Sequence, residues 1–306
     1  MERIGLVGAG LMGRGIARNL IKAGHPLTFH VRRERAETAA LIELGASQTK
    51  DLLALAADSE VIVLCVDHAD TVRTVTAGLW PGLRAGQLVI DATTSKPEVS
   101  REVAAMLEKI GVDYADVPMT GGPVEAEAGR VGSIVGCEAA SFARIEKIVS
   151  CYSASVQRVG GVGTGHTAKL LNNFVSQGAV VLLAEAYGRA RDAGVDWRAL
   201  YALMSAGAAR SGTLEKMVKP ALDGNYDGSK FSIRNSHKDL SYFCELAAAS
   251  ERGPSALAEA IRHVLDGAIA ENLGDRYVGV LLDPEASSAL LRGKAPSAGV
   301  CNFQTT

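Results

Sequence analysis

The chain has 306 residues, 47 % hydrophobic and 22 % charged, which is length enough for two domains with an ample core in an ordinary globular composition. A formal net charge of -2 leaves no basic footprint for nucleic acid, while small anions can still be held by local positive charge. The five cysteines, Cys65, Cys137, Cys151, Cys244 and Cys301, have no C-x-x-C spacing and no histidine cluster; this argues against a disulfide framework or a zinc site and for buried or inert thiols in a reducing cytosol.

Met1 leads directly into the strand-like run Arg3-Ile4-Gly5-Leu6-Val7, which leaves no room for a signal peptide. The turn Gly8-Ala9-Gly10-Leu11-Met12-Gly13 follows, then a helix over 14–23 closed by Gly24, then a strand over 27–31. This is the β-turn-α-β order of a dinucleotide fold. Gly8 allows the tight turn, Gly10 lets a pyrophosphate approach the backbone, and Gly13 lets helix and strand pack, with the helix N-terminus facing the phosphates. Gly8, Gly10, Leu11, Met12 and Gly13 are thus the first cofactor candidates.

An NAD-selective site places an acid at the end of the second strand; here Arg32 and Arg33 stand there, with no carboxylate before Glu34. Two guanidinium forks suit a 2′-phosphate, which favours NADP over NAD, against the plainer reading of a solvated basic helix start. Continuous apolar strands follow at 61–66, 88–91 and 114–117, separated by helices, as in a parallel sheet covered on both faces. Ligands bind beyond the carboxyl ends of such strands, so the loops Val66-Asp67-His68, Asp91 to Pro97 and Pro118 to Pro123 are candidates for contact.

A helix over 141–150 and a last strand over 155–159 lead to Gly160-Gly161-Val162-Gly163, where the domain boundary is placed. The expected fold is α/β: an N-terminal Rossmann domain, residues 1–162, with a doubly wound, mostly parallel sheet, then an all-α domain, 163–306. The second domain opens with a long interdomain helix over about 165–191, ended by Gly194. Further helices are predicted over 196–206, around 214–222, over 238–250 and over 254–271, with Asp196 and Ser236 as N-caps, and an irregular tail from about 283. No apolar run reaches the roughly 20 uninterrupted residues of a membrane span, because Asn172, Asn173, Gln177 and Glu185 break the best candidate. A cytoplasmic protein without a membrane partner is expected.

The long helix holds an anomaly. Its run from Leu170 to Tyr187 is apolar nearly all round, as in a helix buried over most of its circumference, yet Lys169 stands at its start. At about 100° per residue, Asn173 lies roughly 40° from Lys169 and Asn172 roughly 60° to the other side, so an ammonium and two amides share one face.

Four separated stretches together resemble the β-hydroxyacid dehydrogenase family. They are the run Gly5 to Gly13 continuing through Ala17 to His25, the run Asp116-Val117-Pro118-Met119-Thr120-Gly121-Gly122-Pro123-Val124-Glu125-Ala126, the run Gly163 to Asn173, and Phe231 with Lys238-Asp239-Leu240. The resemblance spans residues 4 to about 250 in the family's order. It implies that Lys169 is the general acid/base, that Asn173 orients substrate and fixes the lysine, and that Thr120, Gly121 and Gly122 hold the substrate's acid group. It further implies that Val66 and Thr94 line the cofactor site, Thr94 near the nicotinamide, that Lys238 contacts the cofactor, and that Phe231 and Asp239 form the site's wall. A homodimer or homotetramer with packed all-α domains is implied as well. Two positions depart from the family pattern: Thr120 stands where serine is usual, which reshapes the pocket, and Val66 where many members have proline, which affects the loop.

The expected activity is an NADP(H)-preferring interconversion of a small 3-hydroxy acid, or a related hydroxy acid, with its aldehyde or ketone. The acid group is a carboxylate or a sulfonate. In reduction a lysine ammonium can protonate the developing alkoxide; in oxidation the neutral amine can accept the proton. An imine reductase on the same fold and a non-catalytic NADPH-binding scaffold are the alternatives; Lys169, which imine reductases tend to replace, argues against the first, and retention of both Lys169 and Asn173 against the second. Neither periodicity nor resemblance assigns His166 chemistry, so it is expected to be structural or solvent-facing; Glu125 and Glu127 are expected to begin a helix or line its surface.

Overall fold

A computed structural model of the chain describes residues 1–31 and 36–287. Its first half alternates β1 (Ile4–Val7), α1 (Leu11–Lys22), β2 (Leu27–His30), α2 (Ala36–Glu43), β3 (Ser47–Thr49), α3 (Leu52–Asp58), β4 (Val61–Leu64), α4 (Ala69–Leu79), β5 (Leu88–Asp91), α5 (Pro97–Glu108) and β6 (Asp113–Asp116). Then come β7 (Met119–Thr120), α6 (Pro123–Glu127), β8 (Val131–Gly136), α7 (Phe142–Val149) and β9 (Ser153–Gly160).

These strands form one sheet in the order β3-β2-β1-β4-β5-β6-β8-β7, with β9 beside β8. The ladders from β3 through β6 are all parallel, as doubly wound βαβ units require. Successive strand residues point to opposite faces, and both faces are apolar: Ile4, Leu6, Val61, Val63, Leu88 and Ile90 enter one core, Val7, Ile62, Leu64 and Val89 another. Burying each such side chain is worth roughly 1.5–3 kcal/mol, which is why these strands read as unbroken hydrophobic runs. The strand order reverses between β1 and β4, the switch point outside which such sheets bind ligands.

Three strands add to the sequence reading. β3 is a short polar edge strand, and β7 with β8 forms an antiparallel return, β8 also running antiparallel to β6. Asn19 fastens α1 to α6 through its amide, donating to the Ala126 carbonyl at 3.0 Å.

The helices after β9 are α8 (Thr164–Asp192), α9 (Trp197–Ala206), α10 (Lys219–Ala221), α11 (Ile233–Ala248), α12 (Ala256–Ala270) and α13 (Pro284–Ser287). Two compact units divide the chain: Met1–Phe174 with Asp239–Ser255, and Val175–Lys238 with the chain from Ala256 onward. In the second unit the Trp197 indole donates to the Tyr187 carbonyl at 3.0 Å and meets that ring edge-on at 5.1 Å.

Asp196 caps α9, accepting from the Ala199 N–H at 2.7 Å, and Gly194 leaves α8 with φ +70°. Three helix expectations change. α11 begins at Ile233, so Ser236 is not its cap but lies inside it, donating its hydroxyl to Gln177 Oε1 at 2.6 Å. The stretch predicted as a helix around 214–222 is a π-helical turn, Leu214–Val218, running into α10. α8 leaves Leu171, Val175 and Leu182 exposed instead of burying its apolar run all round. Among the described residues no helix is long and apolar enough to cross a membrane.

Candidate active site

The turn after β1 is glycine for two different reasons. Gly8 has φ +100°, and a Cβ there would overlap the Cys65 carbonyl at the end of β4; a Cβ on Gly13 would overlap the Gly8 carbonyl. Both glycines are required by the protein's own packing. Gly10 is not: a Cβ there would have no protein atom within 4 Å. Gly10 also gives α1 no side-chain cap, so the first amides of the helix, on Leu11 and Met12, are left to something other than a cap. Open space beside uncapped helix amides fits a dinucleotide pyrophosphate, the group these residues would hold. Arg32 and Arg33, the candidates for the 2′-phosphate, lie outside the described residues. Burial pushes the neighbouring Cys65 thiol up to about 12, so it stays protonated and inert at neutral pH.

The loops beyond β4, β5 and β6 are tied together. The Val66 N–H donates to Thr93 Oγ1 at 3.2 Å, a bond that proline at this position could not make. The Thr93 N–H donates to Asp91 Oδ1 at 3.0 Å, and the Tyr114 hydroxyl to Asp91 Oδ2 at 3.1 Å. Thr94, half-buried, follows directly. At the end of β6, Asp116 accepts the N–H groups of Gly163 and His166, both at 2.7 Å, and so caps α8 from a strand far away in sequence. Burial pushes its carboxyl up from the usual range, opposed by His166 and by these two donors.

His166 is structural and wholly buried rather than solvent-facing, in a helix already formed at its position. Its Nε2 lies 2.8 Å from the Thr93 carbonyl oxygen and its Nδ1 2.6 Å from Ser100 Oγ. A carbonyl only accepts, so Nε2 carries the proton, and in the neutral ring Nδ1 accepts from Ser100.

One turn further along α8, Lys169 and Asn173 are 9 % and 5 % exposed. Asn173 donates to Asp239 Oδ2 at 2.7 Å and accepts from Asn172 at 3.2 Å, so a carboxylate from α11 fixes which edge of its amide carries N–H groups. Phe174 and Phe243 stack at 4.3 Å and 5°, clamping the same two helices beside this pair. The structure thus brings Asn173 and Asp239 together, one helical turn from Lys169. Phe231 and Lys238 fall in the other compact unit.

On the turn between β7 and α6, Gly121 takes φ +96°. The Thr120 hydroxyl donates to the Gly132 carbonyl at 3.3 Å, and the Gly122 N–H donates to Glu125 Oε2 at 2.8 Å. Glu125 therefore begins a helix, as expected, and also occupies the amide that the resemblance gives to a substrate acid. Sequence reasoning passed over Ser100, Tyr114 and the capping role of Asp116; their partners lie too far along the chain for any local pattern to reveal.

A parallel sheet with a phosphate-fitting turn at its switch point, followed by helices that begin with a buried lysine and amide, defines a nicotinamide-dependent oxidoreductase. Two family profiles match the chain: the NAD binding domain of 6-phosphogluconate dehydrogenase over residues 3–161, and the NAD-binding domain of NADP-dependent 3-hydroxyisobutyrate dehydrogenase over 163–279. An uncharacterized oxidoreductase of Shewanella frigidimarina is 31 % identical over 243 residues, 78 % of this chain and 83 % of its own. The 2-(hydroxymethyl)glutarate dehydrogenase of Eubacterium barkeri is 29 % identical over 276 residues, 89 % of this chain and 91 % of its own. In fold the chain is similar to 3-hydroxyisobutyrate dehydrogenase of Mycobacterium tuberculosis, with a TM-score of 0.84, 22 % identity, and 92 % and 98 % of the two chains covered. The chain belongs to the β-hydroxyacid dehydrogenase family and is an NAD(P)-dependent enzyme of that class.

Proposed function

We propose that the enzyme prefers NADP(H) and interconverts a small 3-hydroxy acid, or a related hydroxy acid, with its aldehyde or ketone, using Lys169 as general acid/base. The observation that carries this reading is the buried start of α8, where Lys169 and Asn173 lie a turn apart and Asp239 orients Asn173. The bound nicotinamide supplies or accepts the hydride. In reduction the Lys169 ammonium gives its proton to the carbonyl oxygen as that oxygen becomes an alkoxide; in oxidation the neutral amine takes the hydroxyl proton as the hydride leaves. The side-chain amide of Asn173 holds the same oxygen.

Thr120, Gly121 and Gly122 receive the substrate's carboxylate, or a sulfonate of similar size. The long Thr120 bond to Gly132 and the Glu125 bond to Gly122 are the internal partners that such an anion replaces. Thr94 and Val66 lie toward the nicotinamide; in the second domain, residues 163–306, Lys238 is the residue for a cofactor contact and Phe231 the one for a substrate contact. That domain assembles a homodimer or homotetramer in the cytoplasm.

A panel of short aldehyde acids followed by NADPH absorbance, with 3-hydroxyisobutyrate and NADP⁺ for the reverse direction, tests the activity. Turnover of at least one member is expected, and silence across the panel would favour the imine reductase or scaffold reading. For the cofactor, Arg32→Ala with Arg33→Ala is expected to weaken NADPH by roughly tenfold or more and NADH hardly at all, the scale of losing a charge-assisted contact to phosphate. Equal losses in fluorescence titrations would reduce the two arginines to surface charge.

A further inference from the structure

The buried group around His166 does more than cap a helix. Capping α8 needs only Asp116, whose two oxygens already take the N–H groups of Gly163 and His166. The bonds of the His166 ring add nothing to that cap. Both leave α8, one to the Thr93 carbonyl in the loop after β5 and one to Ser100 on α5. Thr93 is held from three sides, its N–H by Asp91, its hydroxyl by the Val66 N–H and its carbonyl by His166. One side chain therefore joins the loop that carries Thr94, itself tied to Val66 on the loop after β4, to the helical turn just before Lys169.

We propose that His166, supported by Asp116 and Ser100, is a positioning residue that sets the Lys169 ammonium against the Thr93–Thr94 loop. The proposal rests on the reading of Lys169 as the acid/base. His166, Asp116 and Ser100 are each 0 % exposed, so none of them touches substrate and the group acts only through what it holds. Its members are matched: Thr93 offers an acceptor to Nε2, and the Ser100 hydroxyl can donate to Nδ1 or accept from it. A ring held at both nitrogens cannot turn without breaking a buried bond. The backbone at Thr93 and the first turn of α8 thus share one fixed reference, which is what proton and hydride transfer to adjacent atoms require. Glycine at 165 and 136 serves the same end, since a Cβ at either position would overlap Asp116.

The test compares His166→Phe, which keeps the ring's bulk and loses both bonds, with His166→Gln, which retains one donor and one acceptor. 3-Hydroxyisobutyrate with NADP⁺ is the probe. His166→Phe is expected to lower kcat by roughly 10- to 10²-fold, the cost of a misplacement near 1 Å, with the Kd of NADPH changed by less than about threefold. His166→Gln is expected to recover most of the loss. In a Lys169→Ala background His166→Phe should cost nothing further, because the residue it positions is gone. Wild-type kcat in His166→Phe, or losses that multiply in the double variant, would overturn the proposal while leaving Lys169 in place as acid/base. Lys169→Ala with undiminished turnover would instead overturn the underlying reading.

A second readout needs no substrate. In hydrogen exchange His166→Phe should deprotect the amides of Thr93–Thr94 and of Gly163–Lys169 together, and deprotection confined to α8 would refute the link. If His166→Phe does not fold, Ser100→Ala removes the bond to Nδ1, together with the longer Ser100 bond to the Lys96 carbonyl, keeps the ring's bond to Thr93 and is read by the same measurements.

Discussion

Lys169→Ala is expected to lower turnover by roughly 10²-fold or more while the Kd of NADPH stays nearly constant, the usual consequence of deleting a positioned acid/base. Lys169 is only 9 % exposed, at the start of a helix whose neighbouring turn is fixed to the sheet by Asp116 and His166. A lysine merely extending along an apolar surface would reach for solvent. Fluorescence titration of NADPH checks the binding arm and initial rates across the aldehyde-acid panel check the chemical arm. Unchanged turnover would remove Lys169 from the mechanism, and loss of both binding and turnover would make its role structural.

The second large effect separates two glycines that look alike in the sequence. Gly13→Ala is expected to abolish coenzyme binding and to lower stability by about 1–3 kcal/mol or more, because its Cβ would overlap the Gly8 carbonyl, which is packed backbone and cannot swing aside as a side chain could. Gly10→Ala should leave the melting temperature of the free protein unchanged, since the new methyl would find no protein atom within 4 Å. Yet it should weaken NADPH by roughly tenfold or more, as a methyl standing where a pyrophosphate approaches the backbone. Thermal melts paired with coenzyme titrations distinguish the two. A Gly10→Ala variant that binds NADPH normally would mean the space beside that residue serves no phosphate.

The different fates of these glycines show what could be read from the chain alone. The turn itself was legible because strand, glycine spacing and helix follow each other locally, and the parallel sheet because strands buried on both faces must be apolar throughout. β7 and β8 were not, since Met119–Thr120 is too short for a pattern and Val131–Gly136 breaks its apolar residues with an adjacent glycine and serine and ends in glycine, following neither strand nor helix period. Ser236 misled for a physical reason: a hydroxyl suited to capping a helix is equally suited to bonding Gln177 from inside one, and the sequence is the same in both cases. The polar face of Lys169 and Asn173 followed from helical periodicity. The partners that hold it did not, because Asp239 is 66 residues from Asn173, and His166 is 73 from Thr93. Contacts that distant leave no local signature in a single sequence.

Val66 carries a consequence for how this chain can vary. Where proline at 66 would stiffen the loop with its ring, this protein ties it to a hydroxyl on the next loop, through the Val66 N–H and Thr93 Oγ1. The restraint has become a property of two positions. Thr93→Val would strand that N–H, at a cost of about 1 kcal/mol, whereas against proline at 66 the same change would strand nothing. The two sites are thus epistatic: a lineage can lose the threonine readily after acquiring the proline, and only at a penalty before it.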